Sequence, residues 1–216
     1  MQGNIRRDKG EQIEAVIWFS DMRDSTRWAD ELEADDFLAL VNSYFECTAS
    51  AVISSGGEVL RFIGDAVLGI FPVEEQGRYD SHLAASTAMK AMQDAENRLA
   101  KLNQKRLSNG LKPVDFGLGL HIGTVTFGNI GVAERLEFSV VGPAANEVAR
   151  LEALSKTLQR RVLVSEAFAS LLDANWESLG EHTLRGVNNK VKIFSPVNST
   201  PTATITPTTN LAPTQT

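Results

Sequence analysis

Residues 58–71 read EVLRFIGDAVLGIF: two apolar β-type runs, one ending at Ile63 and one resuming at Ala66, joined by Gly64-Asp65. Two such runs with a Gly-Asp joint form a β-hairpin. The chain must therefore contain antiparallel sheet, and long helical patterns stand on both sides of it. Gly64 supplies the positive φ such a turn needs, and Asp65 tolerates the turn. A carboxylate at the tip of an apolar hairpin is also a candidate functional group. On this stretch alone both readings stand.

The flanking sequence sets the fold class. EAVIWFSD (14–21) is an apolar β-type run closing on Ser-Asp, and STRWADEL opens as a helix does, with Asp24 or Ser25 as N-cap. Phe37, Leu38, Leu40, Val41, Tyr44, Phe45, Val52 and Ile53 recur at helical spacing between Ala34 and Ser54, and SSGG stops the pattern. A long helix is predicted over Ser81–Leu107, ended by SNG with Pro113 beyond. VDFGLGLHIGTVTFGNIG (114–131) reads as two strands around a glycine-containing turn, and LEFSVVG as a further strand. Pro143 suits the first turn of the next helix, PAANEVARLEALSKTL. RVLVS is a strand, EAFASLL a short helix, and ESLGEHTLRG with VKIFSPV a closing β pair.

The resulting order, β-α-α-β-β-α-β-β-β-α-β-α-β-β, mixes hairpins with crossover helices. That is an α+β arrangement, with a mostly antiparallel sheet and helices packed on one face. Residues 1–12 are expected to be a linker or lead-in and residues 13–197 one folded domain. Residues 198–216 hold eight Thr, three Pro and no charge, a composition that buries too little to order itself.

Bulk properties narrow the function classes. The 216 residues are 43% hydrophobic, enough for a single good-sized core, and the formal charge of -6 disfavours a nucleic-acid polymer or an anionic membrane as partner. Cys47, the single cysteine, sits in an apolar helical pattern, so it reads as a core residue. It excludes an internal disulfide and fits a reducing, cytoplasmic compartment. No apolar run is read as approaching a membrane span, and MQGNIRRDKGEQ has no signal-peptide core. His82, His121 and His182 lack metal-ligand spacing, which argues against structural zinc.

Asp21 ends one strand just before a helix, and Asp65 tips a hairpin. If the two strands pair, both carboxylates reach one edge of the sheet, where they repel unless a cation lies between them. Mg²⁺ takes one or two protein carboxylates and completes its shell with water and substrate phosphates. The amides from Met22 to Thr26 lead into a helix N-terminus, a favourable place for phosphate oxygens. Together these features suit a nucleoside triphosphate. The plainer reading, Asp21 as cap and Asp65 as turn residue, stays open on these features alone. Asn146 and Arg150 lie four apart and share a helix face, for which an ordinary solvated face is the plain explanation.

FSDMRDST, EVLRFIGDAVLGIF, FGLGLHIGTVTFGNIG and FSVVGPAANEVARLEAL follow one another along the chain. Together they resemble the class III nucleotidyl cyclase catalytic domain, in its order and at its spacing, over about residues 12–196. The resemblance implies a ferredoxin-like, palm-like β-α-β-β-α-β core. It implies that the ribose 3′-hydroxyl of ATP attacks its own α-phosphorus, giving 3′,5′-cyclic AMP and pyrophosphate. It implies two Mg²⁺ or Mn²⁺ ions per active site, held by Asp21, Asp65 and the backbone carbonyl of Met22. Asn146 is cast as the ribose-orienting residue and Arg150 as the transition-state arginine. Arg61, Ser139, Thr26 and Arg185 are cast as substrate-binding, with Lys190 as an alternative to Arg185. The aspartates and the Asn/Arg pair reach one site from opposite subunits, so a homodimer with two composite sites is expected and a monomer is expected to be inert.

Three positions depart from the family pattern. Arg61 stands where a base-recognising lysine is usual, and it is longer and planar. Ser139 stands where many members have aspartate and a bicarbonate-responsive branch has threonine or serine. A donor at 61 suits adenine N1, an acceptor, whereas guanine N1 carries a hydrogen; ATP is therefore favoured. Asp24, where glycine is frequent, is either a helix cap or a third carboxylate unfavourable to triphosphate. His121, between strand residues, reads as structural. A cyclase-like nucleotide sensor and a cyclase with relaxed ATP/GTP choice are the rival functions. A diguanylate cyclase is excluded, because the chain has no Gly-Gly-acidic-acidic-Phe loop. The opening residues resemble the junction that follows an upstream regulatory domain in bacterial members.

Overall fold

The computed structural model describes residues 10–73, 80–132, 135–184 and 190–197. Its elements are β1 (Gly10–Met22), α1 (Ser25–Glu31), α2 (Ala34–Ser54), β2 (Glu58–Ile63), β3 (Ala66–Pro72), α3 (Ser81–Ser108), β4 (Phe116–Val132), β5 (Arg135–Val141), α4 (Pro143–Thr157), β6 (Val162–Ser165), α5 (Glu166–Ala169), β7 (Trp176–Thr183) and β8 (Lys190–Pro196). β1 starts at Gly10, opposite Gly128 on β4, so residues 10–12 are strand rather than linker. Residues 1–9, the 198–216 segment and Arg185 lie outside the described residues.

One sheet runs β2-β3-β1-β4-β6-β8-β7, with β5 pairing β4 off that path. β2, β3, β1 and β4 pair antiparallel, with α1 and α2 between β1 and β2 and α3 between β3 and β4. This is the expected β-α-β-β-α-β core, extended by the parallel β4–β6 pairing and the antiparallel β6–β8 and β7–β8 pairs.

Alternation along β1 divides the core. Val16, Trp18 and Met22 turn to one face and pack with Tyr44 and Val52 of α2 and Ala88 and Met92 of α3. Ala15 and Ile17 turn to the other, with Ala144 and Val148 of α4. The α+β class and the mostly antiparallel sheet stand. The one-sided helix layer holds for α2 and α3, while α4 crosses the opposite face.

α2 is, by length and composition, apolar enough to cross a membrane, contrary to the expectation that no run approaches that length. In the fold its apolar face serves the core. Leu40, Val41, Tyr44, Cys47, Ala51 and Val52 are buried, and the Tyr44 hydroxyl and Trp18 Nε1 both donate to Ser20 Oγ, at 3.0 and 3.1 Å. Burial pushes the Cys47 thiol up to about 11, as befits a core residue rather than a nucleophile.

The predicted pair of strands in 114–131 is instead the single strand β4, paired with β1 from Phe116 to Gly128. Its glycines mark close approach rather than a turn. A Cβ at Gly119 would lie 2.7 Å from the Val148 carbonyl oxygen and 3.0 Å from the Glu152 nitrogen. One at Gly123 would lie 2.8 Å from Ala144 Cβ. The bare strand lets α4 settle directly on β4, and that contact positions the helix bearing Asn146 and Arg150.

Candidate active site

β1 and β3 pair with Asp21 opposite Ala66, the residue after Asp65. Gly64, at φ 61°, makes the tight reversal that delivers Asp65 beside the end of β1. Burial, then the Asp65 charge and then the Glu152 charge push the Asp21 carboxyl up to about 7, against the opposing pull of Arg23. Asp65 Oδ2 is buried and has no hydrogen-bond partner. Two neighbouring carboxylates, one with an orphaned oxygen, form the donor set a hard divalent cation takes. Among the described residues no cluster of three or more His, Cys, Asp or Glu forms a metal-binding group. A cation here would therefore draw its remaining ligands from backbone, water and substrate. The Met22 side chain is in the core, so the backbone carbonyl is the part of Met22 suited to that role.

Asp24 takes the N-cap position of α1 at φ 56°, but its side chain makes no capping hydrogen bond. Its carboxylate accepts from Lys156 Nζ at 3.0 Å, and Arg27 lies 3.9 Å away. Asp24 holds the cap position without capping, and its carboxylate is met by Lys156 in the last turn of α4. Thr26 is exposed in the first turn of α1.

Asn146 and Arg150 occupy the outward face of α4. The helix buries Ala144, Val148, Leu151, Glu152 and Ser155 against the sheet, while Asn146 is exposed and Arg150 half-buried, both about half a turn away from that stripe. Asp21, Met22 and Asp65 are therefore brought together within one chain, and Asn146 and Arg150 are not brought to them. Arg61 is half-buried on β2 opposite Leu68, and Ser139 is buried on β5 opposite Gly128. Lys190 is exposed at the start of β8, and its rival Arg185 lies outside the described residues.

Sequence reasoning missed one cluster here. Arg23 Nη1 donates to Glu152 Oε1 at 3.0 Å, and Nη2 donates to Ser155 Oγ. Both residues were inside recognised motifs, Arg23 in FSDMRDST and Glu152 two places after Arg150, but their meeting depends on α4 lying on the Asp21 face. His121 is held by Ser165 Oγ at 2.8 Å on Nδ1 and stands 3.5 Å from Glu147 on Nε2. Burial pushes its pKa down, and it lies away from Asp21, consistent with a structural role.

Residues 9–195 match the family model described as the adenylate and guanylate cyclase catalytic domain. The chain is 29% identical over 178 residues to an adenylate cyclase of Anabaena cylindrica, covering 82% of this chain and 34% of that protein. It thus spans about a third of that relative's length. It superposes on the adenylyl cyclase CyaB from P. aeruginosa with a TM-score of 0.79 at 24% identity, over 90% of this chain and 99% of the other. The guanylyl cyclase Cya2 gives a TM-score of 0.74 at 25% identity, again over 90% and 99%.

Proposed function

The chain belongs to the adenylate and guanylate cyclase catalytic domain family, and from that premise we propose that it converts ATP to 3′,5′-cyclic AMP and pyrophosphate in a homodimer with two composite sites. The observation that carries this reading is the Asp21–Asp65 pair, with its orphaned oxygen and its raised carboxyl. Two Mg²⁺ or Mn²⁺ ions held there by Asp21, Asp65 and the Met22 carbonyl would lower the pKa of the ribose 3′-hydroxyl and neutralise charge on the phosphates.

The rest of the work is positioning and charge. The uncapped amides of α1 face the triphosphate, and Thr26 and the basic residue at 185 or 190 add donors. Lys156, 3.0 Å from Asp24, offsets part of its charge toward the phosphates. Asn146 orients the ribose and Arg150 donates hydrogen bonds to the α-phosphate as negative charge builds there. Their outward placement on α4 supports their serving the carboxylates of a second subunit. A C2 dimer then makes two equivalent sites. Arg61 presents a donor to adenine N1, with the Ser139 hydroxyl as its partner in base recognition.

Purified dimer incubated with ATP or GTP and either Mg²⁺ or Mn²⁺ tests the reading. Cyclic AMP formed faster than cyclic GMP is expected. No cyclic product with either metal from a confirmed dimer favours the nucleotide sensor instead. Comparable rates with both nucleotides establish relaxed base choice, the second reading, which rests on arginine standing at 61 in place of the usual lysine.

A further inference from the structure

Arg23 and Glu152 join two parts of the molecule that the composite-site reading assigns to different active sites. Arg23 follows Met22 at the end of the strand carrying Asp21, and Glu152 lies on α4 two residues after Arg150. The Arg23–Glu152 contact at 3.0 Å is nearly dry, the two side chains being 10% and 5% exposed. Arg23 also reaches Ser155 Oγ, and its backbone N–H donates to the Asp115 carbonyl at 2.8 Å. The slot exists because residue 117 is glycine: a Cβ there would overlap both Glu152 Oε1 and Arg23 Nη2. The end of β1, the start of β4 and the last turns of α4 therefore meet with no spacer.

We propose that Arg23 and Glu152 are a positioning pair serving both composite sites of the dimer at once. The pair fixes Asp21 for one site and, through α4, fixes Asn146 and Arg150 for the twofold-related site. This rests on the homodimer reading above. A guanidinium donating to two acceptors on one helix sets that helix's height and rotation together, which a lysine, a point charge, does not.

Mixed dimers test it. An Asp65→Asn chain and an Arg150→Ala chain, inactive and strongly impaired alone, are co-purified by different tags. The mixed dimer keeps one intact composite site, so recovered turnover checks the two-site reading by itself. No recovery removes that reading and the proposal with it. Arg23→Lys is then placed in one chain at a time. Turnover is expected to fall about 10- to 100-fold in either placement, the range typical of residues that orient metal ligands.

The signatures should differ. In the chain carrying the working carboxylates, Mn²⁺ affinity weakens, read by electron paramagnetic resonance of free Mn²⁺ with a non-cyclisable ATP analogue. In the chain donating Arg150, Mn²⁺ affinity holds and kcat falls at constant KM. A loss confined to the carboxylate chain, or no loss in either, overturns the proposal. The Arg23→Met/Glu152→Leu double variant fills the slot without charge. It should remain a folded dimer and show both losses, and wild-type turnover from it overturns the proposal.

Discussion

Asp65 stands beside Asp21 at the end of β1, and its Oδ2 is buried without a hydrogen-bond partner. A native fold leaves such an atom only where something outside the chain satisfies it, or where strain is stored. Burial of Asp21 and repulsion from Asp65 act in the same direction, so below about pH 7 the metal-free protein holds a proton there that an isolated aspartate loses above 3.8.

That proton gives a pH dependence with a defined sign. The folded-state value is about 7 and the ordinary value 3.8, so the folded chain binds more protons between them. Stability from this group is fully present below the ordinary value and is lost as pH rises through the folded one. In chelator, the thermal midpoint of the native chain is expected to fall relative to Asp21→Asn across that interval. Added Mn²⁺ should raise the midpoint most above it, where Asp21 is ionised. Parallel pH profiles for the two proteins would contradict the assignment.

Truncations should separate binding from chemistry. Asp65→Ala removes half of the carboxylate pair and is expected to abolish turnover while sedimentation still reports a dimer, since Asp65 lies in a two-residue turn outside the apolar core. Arg150→Ala should lower kcat by roughly 10² to 10³, the cost typical of losing a donor to developing charge, with KM for ATP little changed. A KM effect of similar size in Arg150→Ala would make it a ground-state binding residue instead.

The sheet and its site were legible in unequal measure. The Gly-Asp turn, the helical stripe of 34–54 and Pro143 after Gly142 are local signals, and the elements they predict are present. Asp21 and Asp65 could be paired from sequence because each terminates an apolar strand and neighbouring strands share an edge. The glycines of β4 misled, since a glycine that turns a chain and one that admits a helix look alike in sequence; only the nearness of Val148 and Glu152 distinguishes them at Gly119. The helices' division between the two faces and the Arg23–Glu152 contact depend on long-range packing, and no local spacing encodes it. Asp24 looked like a cap because caps are local, whereas its partner, Lys156, lies 132 residues away.

Gly119→Ala tests the role assigned to that glycine. The added methyl would meet the Val148 carbonyl and the Glu152 amide, both backbone atoms that give way only if α4 moves. Overpacking of this kind costs about 1–3 kcal/mol. Chemical denaturation should show that loss, and turnover should fall further than stability, because the displaced helix carries Asn146 and Arg150. Gly110→Ala is the control. It sits past the end of α3 with open space around it, so its cost should come only from its positive φ, 71°, and leave turnover unchanged.

A second buried charge cluster, beside the junction of β1 and β4, bears on stability. Arg161 Nε donates to Asp115 Oδ1 at 2.7 Å and Nη1 to Glu96 Oε1 at 3.4 Å, with the guanidinium 5.7 Å from the centre of the Phe116 ring. The three side chains are 7–9% exposed. Asp115 Oδ1 also accepts from the Phe116 N–H, and the Arg161 carbonyl accepts from the Leu118 N–H, so the cluster clamps the starts of β4 and β6. Removing one partner of a buried ion pair leaves an uncompensated charge and typically costs about 3–5 kcal/mol. Arg161→Met should show a loss of that size as a lower urea midpoint at unchanged slope. Adding Glu96→Gln and Asp115→Asn should restore much of it, because the two carboxylate charges that faced Arg161 are then removed while an amide oxygen at 115 still accepts from Phe116. If the single variant loses less than about 1 kcal/mol, in the range of exposed ion pairs, the cluster is not the clamp described. If the triple variant is no better than the single one, the loss comes from packing of the arginine stem over Phe116 rather than from charge.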